Sequence, residues 1–299
     1  MRDLEKQLFE LLVRASSDLP ADVEAALGKA RQGEAVGSSS HTALGTILDN
    51  VQLAREKRRP ICQDTGTIHF FVEAASGLTA EEFRQNAEAA IIKATETGLL
   101  RQNCVETLSG KNTGNNLGYL NPTIHWQNSD TAKSQVTVML KGGGCENMGR
   151  QYSLPNAQLE AGRDLEGVRR CILDAVWKSQ GYGCAPGILG VAIGGDRPGG
   201  YEESKLQLLR KIGQRSQEPA LAELEERLLR ECNQLDIGTM GFGGKTTVLE
   251  VFLGTRCRLP ASYFVSISYM CWCCRRQSIT IGEECPKRGQ MGKGVVRGA

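Results

Sequence analysis

Aromatic residues are scarce in this chain, 5% of its 299 positions. Long apolar runs are missing too: none approaches the roughly 18 residues that a membrane-crossing helix needs. Charge of one sign does not dominate, since 36 Lys plus Arg stand against 34 Asp plus Glu, both spread along the chain. A polyanion therefore finds no field to follow, and neither nucleic acid nor membrane is expected as a partner. The 35 glycines show no G-X-Y period, which excludes a collagen-like fibre. The opening Met1-Arg2-Asp3-Leu4-Glu5-Lys6 is charged and amphipathic rather than a secretory leader, so the chain reads as cytoplasmic. With 40% hydrophobic and 23% charged residues, it has the apolar matter for a core of its own.

What the chain has in quantity is cysteine. Eleven is an odd number, no export signal precedes them, and a chain of this length needs no staples. A disulfide framework is thus excluded in favour of metal or redox chemistry. Three of the thiols, Cys62, Cys184 and Cys271, sit at loops or element ends beside Pro, Gly or Trp. Such backbone can approach an inorganic cluster closely and donate N–H groups to its sulfur. The plain alternative for each is a buried, inert thiol. Cys104, Cys145, Cys171, Cys232, Cys257, Cys273, Cys274 and Cys285 read as packing residues. A zinc knuckle built on Cys271, Cys273, Cys274 and Cys285 lacks the paired C-x-x-C spacing.

Periodicity predicts helices over 4–15, 21–30, 42–57, 79–99, 165–179, 202–212 and 218–235, and strands over 67–72, 123–126, 135–140, 188–193, 247–253 and 263–270. Thr79 followed by Glu82 marks a capping box. Residues 103–134, rich in Asn, Gly and Thr, read as a long loop region of the kind that holds sites. Helices and strands mix without strict alternation, which indicates an α+β (irregular α/β) architecture. With no repeat and no linker-like stretch, one compact domain is expected over 1–285, followed by a loose Gly-, Lys- and Arg-rich tail over 286–299. The histidines His41, His69 and His125 are isolated in sequence and read as core or surface residues.

Six segments in order carry a resemblance: Pro60-Ile61-Cys62-Gln63-Asp64-Thr65-Gly66, Leu100-Arg101-Gln102-Asn103, Asn112-Thr113-Gly114, Gly142-Gly143-Gly144, Gly183-Cys184-Ala185-Pro186 with its following glycines, and Leu259 to Trp272. Together they resemble the α subunit of class I iron–sulfur fumarases and L-tartrate dehydratases, over about residues 4–282. The resemblance implies a 4Fe-4S cluster held by Cys62, Cys184 and Cys271, with one iron left to act as a Lewis acid on the substrate. It implies substrate contacts from Gln63, Arg101 and the Gly143 backbone, and proton transfer to the leaving hydroxyl by Asp64. It also implies a β subunit, carrying the swivelling C-terminal half of the site with the catalytic base, and a dicarboxylate substrate: fumarate and malate first, tartrate and oxaloacetate second. An αβ pair doubled to a heterotetramer is expected on the same ground.

The residues themselves leave plainer roles open. Asp64 suits an Asx-turn, Arg101 a solvated helix end, and Gly143 a simple turn. One departure from the resemblance stands out: single-chain class I fumarases carry a His in an Arg-His-Gly-Ala-Ser context, where this chain has Arg258-Leu259-Pro260-Ala261-Ser262. Two readings of other classes compete. One is a nucleotide-binding enzyme, because Thr239 to Thr246 nearly spells a phosphate-cradling loop, though its first Gly is missing and a strand rather than a helix is predicted to follow. The other is a non-catalytic, cluster-binding regulatory module, which accounts for the cysteines and not for Asp64 and Arg101.

Overall fold

The computed structural model describes residues 2–282. Helices run over Arg2–Ser17 (α1), Ala21–Gly33 (α2), Ser39–Lys57 (α3), Ala80–Glu96 (α4), Gly143–Asn147 (α5), Leu165–Ser179 (α6), Arg197–Gln207 (α7) and Pro219–Asn233 (α8). Strands run over Thr67–Ala74 (β1), Thr123–Asn128 (β2), Gln135–Lys141 (β3), Arg150–Ser153 (β4), Gly187–Gly194 (β5), Val248–Arg256 (β6), Phe264–Met270 (β7) and Arg275–Thr280 (β8). The α+β class expected from the sequence holds. The tail over 286–299, and Cys285 with it, lies outside the described residues.

Local chemistry explains most boundaries. Asp164 and Asp196 cap α6 and α7, their carboxylates accepting the Gly167 and Gly199 N–H groups at 2.7 and 2.9 Å. The cap at Asp196, with Pro198 in the first turn, starts α7 five residues ahead of the predicted 202. Two strands escape periodicity. Arg150–Ser153 is too short to show alternation, and Arg275–Thr280 opens with two cations that no strand pattern favours. The glycine run at 142–144 is not a plain turn, since Gly143 opens α5.

No linker-like stretch interrupts the chain, yet its contacts group into two compact units. Among the described residues the first comprises 2–20, 50–142 and 275–282, and the second comprises 21–49 and 143–274. The chain passes between them several times, which leaves no composition shift for a sequence reading to detect.

The first unit is built on a four-stranded sheet ordered β2-β1-β3-β8, with β1 and β2 parallel and the other neighbours antiparallel. Alternate residues of β1 and β3, among them Ile68, Phe70, Val138 and Leu140, form a core with the apolar faces of α1 and α4. Phe70 meets Phe83 of α4 edge-on at 5.5 Å. His69 falls on the opposite face of β1, because strand side chains alternate. There the histidines, isolated in sequence, meet in space: parallel pairing of β1 and β2 sets His69 Nδ1 3.3 Å from His125 Nε2, and Phe71 stacks on the His125 ring at 4.4 Å.

The second unit holds a sheet ordered β4-β7-β5-β6. Its central strand β5 is buried along its whole length, parallel to β6 and antiparallel to β7, as expected for an apolar strand covered on both faces. Helix α7 lies close against it: a Cβ on Gly190 would occupy the place of the Ser204 carbonyl oxygen. Val168 and Ile172 of α6 and Leu224 and Leu228 of α8 join Leu189, Val191 and Val251 in one core.

Candidate active site

The segment Ile61–Gly66 leaves α3 and enters β1 as irregular backbone. It is anchored at both ends, by Asn50 Nδ2 donating to the Ile61 carbonyl at 3.0 Å and by the sharp entry at Gly66. Gly66 has φ +76, and a Cβ there would run into the Lys141 carbonyl. Between these anchors Cys62 and Asp64 are half-buried and Gln63 is exposed. Gln63 Oε1 lies 3.9 Å from Cys62 Sγ.

Asp64 is not an isolated turn residue. Asn103 Nδ2 donates to Asp64 Oδ1 at 2.8 Å, from a segment 39 residues away. The next residue, Thr65, is buried and its hydroxyl accepts the Arg101 N–H at 2.7 Å. The Cys-Gln-Asp-Thr-Gly and Leu-Arg-Gln-Asn segments are thereby tied together, and Asp64 and Arg101 come to one edge of the first unit. Arg275 at the start of β8 adds a cation: its Nη2 and Asp64 Oδ2 lie 3.9 and 2.8 Å from the place a Cβ on Gly142 would take. Asn103 stood within a recognised motif without a role, and Arg275 was hidden because its strand was not predicted.

Cys184 and Cys271 come together within the second unit. Cys184 has φ +52, a left-handed conformation that a residue with a Cβ enters at some cost and that concentrates at functional positions. Its carbonyl accepts the N–H of Trp272, next to Cys271, at 3.3 Å. Tyr269 packs beneath, against the places a Cβ would take on Gly183 and Gly187. Its phenol is held well above the ordinary range, first by burial and then by the thiols of Cys271, Cys145, Cys184 and Cys232, which places these sulfurs around it. A fourth thiol, Cys145 of α5, accepts the Cys271 N–H at 3.3 Å. Cys145 is buried, as its reading as a packing residue expects. Gly143 is exposed at the start of that helix.

A cubane sets its cysteine sulfurs further apart than a single ion does. Two half-buried thiols on neighbouring irregular segments suit such a cluster. Among the described residues no three His, Cys, Asp or Glu side chains are grouped to hold a single metal ion.

The other cysteines whose protonation is perturbed behave as inert thiols. Burial first, and the Asp174 carboxylate second, push Cys171 up to about 12, and burial with Glu231 does the same for Cys232. Cys273 and Cys274 are buried. The phosphate-loop reading is overturned. The Gly244 N–H donates to Asp236 Oδ1 at 3.0 Å, and the Lys245 and Thr246 N–H groups donate to the two Glu34 oxygens at 3.1 and 3.0 Å. Carboxylates of the chain itself thus hold the donors that a phosphate would take, and β6 rather than a helix follows. At the departure noted above, Leu259 is 74% exposed, and Arg258 Nη1 holds the loop by donating to the Leu259, Pro260 and Ser262 carbonyls.

Two comparisons with known proteins bear on this arrangement. A protein of Geobacillus stearothermophilus named "Putative fumarate hydratase class I" is 43% identical over 297 residues, 98% of this chain and 57% of that protein. The L(+)-tartrate dehydratase subunit alpha of Escherichia coli K12 is 32% identical over 268 residues, 89% of this chain and 86% of that one. This chain thus spans little more than half of the first relative and most of the second. The family model described as fumarate hydratase (Fumerase) matches residues 5–280, which takes in the Cys184 and Cys271 segments of the second unit and the tied loops of the first, and the chain belongs to that family.

Proposed function

We propose that the chain is the α subunit of an iron–sulfur hydro-lyase that interconverts fumarate and malate in the cytoplasm. The observation that carries this reading is the family match over 5–280, which contains all seven residues that the motifs single out. Cys62, Cys184 and Cys271 would hold a 4Fe-4S cluster, which supplies a Lewis-acidic iron for the substrate hydroxyl and its neighbouring carboxylate when bound. Arg101 offers a fork of N–H donors that matches a carboxylate, Gln63 adds a neutral donor and acceptor, and Gly143 contributes backbone N–H.

In the dehydration direction a proton leaves the carbon next to one carboxylate, and hydroxide leaves the adjacent carbon. Asp64 gives its proton to that hydroxide, which departs as water, and takes it back in hydration. The Asn103 bond to Oδ1 orients the carboxyl. Charge that develops on the substrate carboxylate meets donors already in place.

The base that removes the carbon-bound proton is assigned to a β subunit. The coverage of the tartrate dehydratase α subunit supports that division, and the same relative supports tartrate dehydration as the second reading. The test is anaerobic reconstitution with iron and sulfide, addition of the candidate β chain, and assay of fumarate hydration beside L-tartrate dehydration. Fumarate turnover that requires both chains is expected. Full activity from this chain by itself would refute the division, and turnover of tartrate alone would select the second reading.

A further inference from the structure

We infer that Asn116 is a positioning residue that sets Arg101 and Asn103 against the substrate and Asp64. The inference rests on the hydro-lyase reading for what those residues meet, and on the geometry for Asn116 itself. Asn116 lies in the Asn-rich loop after α4, is 2% exposed, and takes the left-handed conformation, φ +62, that Asn tolerates better than most residues. Its Oδ1 accepts the Asn103 and Cys104 N–H groups at 2.7 and 3.3 Å. Its Nδ2 donates to the Arg101 carbonyl at 2.8 Å and to Thr95 Oγ1, on α4, at 3.0 Å. All four hydrogen bonds that an amide side chain can make are therefore made. Asn121 Nδ2 in turn donates to the Asn116 carbonyl at 2.7 Å.

The consequence is a doubly held peptide. The Arg101 N–H is taken by Thr65, beside Asp64, and the Arg101 carbonyl by Asn116. Asn116 also holds the backbone of Asn103, whose side chain reaches Asp64. Arg101 and Asn103 are exposed, so packing alone does not fix them. One buried amide, joined to α4, does so by hydrogen bonds, and its directionality supplies the placement that catalysis needs.

Three variants of the reconstituted holoenzyme test this. Asn116→Asp keeps both acceptors and the backbone conformation and loses the donors. Asn116→Gly keeps the backbone conformation only. Thr65→Val frees the other end of the Arg101 peptide. Each is expected to raise KM, and the Kd for the unreactive dicarboxylate succinate, by about tenfold, the effect of one such hydrogen bond. Only Asn116→Gly should also lower kcat, because it alone releases the Asn103 backbone and with it the side chain that reaches Asp64. Iron per chain and the far-UV spectrum should stay at the values of the unsubstituted protein.

Unchanged KM and kcat per iron in folded Asn116 variants would overturn the inference. If those variants do not fold, an unchanged KM in Thr65→Val overturns it. If the unsubstituted holoenzyme turns over no dicarboxylate, the functional reading fails on its own. Amide exchange at residues 101–104 then decides for Asn116: faster in the variants upholds the role, and equal rates refute it.

Discussion

At the residue scale burial separates the three proposed ligands from most of the other cysteines, though Cys104 is half-buried and Cys257 exposed. Cys62, Cys184 and Cys271 are half-buried on irregular segments, whereas Cys171, Cys232, Cys273 and Cys274 are buried. Substituting Cys62→Ser, Cys184→Ser or Cys271→Ser should abolish iron retention after anaerobic reconstitution, measured as iron per chain and as visible absorbance. Cys273→Ser and Cys274→Ser should retain it. Full iron in any of the first three would remove that residue from the ligand set. The partial burial of these three positions was legible in the sequence, because turn-forming neighbours mark Cys62 and Cys184, and Trp272 marks a strand end at Cys271. What periodicity could not show is which polar side chains turn inward. Asn103, Asn112, Asn115 and Asn116 look alike in sequence, yet Asn116 is the one buried with all four amide hydrogen bonds made to protein.

At the element scale, segments with local causes were read well. Helix α6 runs over the predicted residues because Asp164 caps it and its buried positions, among them Val168, Cys171, Ile172 and Ala175, repeat every three to four residues. Strand β8 is absent from the sequence pattern, because its Arg275, Arg276 and Gln277 are buried by pairing with β3 and by α1, whose Arg14 donates to Gln277, long-range events with no local signature. Two substitutions measure how local and tertiary terms compare. Asp196→Ala removes the cap of α7 and should cost about 1 kcal/mol in urea unfolding. Gly190→Ala forces a methyl group into the Ser204 carbonyl, where α7 meets the buried centre of β5, and should cost about 3 kcal/mol. A smaller loss at Gly190 than at Asp196 would show that α7 can move away from the sheet.

At the scale of the whole molecule, titration of buried groups ties stability to pH. In the second unit the Cys171 and Cys232 thiols have folded values of about 12 against an ordinary 9.0, with burial the first cause in both. Tyr269 is raised in the same direction, also first by burial. A raised folded value means that the unfolded chain loses its proton at lower pH than the native one. Above pH about 9 the unfolded state binds fewer protons, and stability falls as pH rises toward about 12. Below that window the contribution is fully present. Each such group adds a slope of about 1.4 kcal/mol per pH unit within its window. Urea midpoints taken from about pH 8 to about pH 11 should therefore decline steadily. The double substitution Cys171→Ala, Cys232→Ala should start lower, because it opens cavities among Val168, Ile172, Leu224 and Leu228, and should then decline less steeply. The slope rather than the starting value carries the argument, since a cavity lowers stability equally at every pH, whereas only the loss of a titrating thiol flattens the curve. A double variant whose midpoints fall in parallel with those of the unsubstituted chain would mean that the two thiols do not govern its alkaline unfolding.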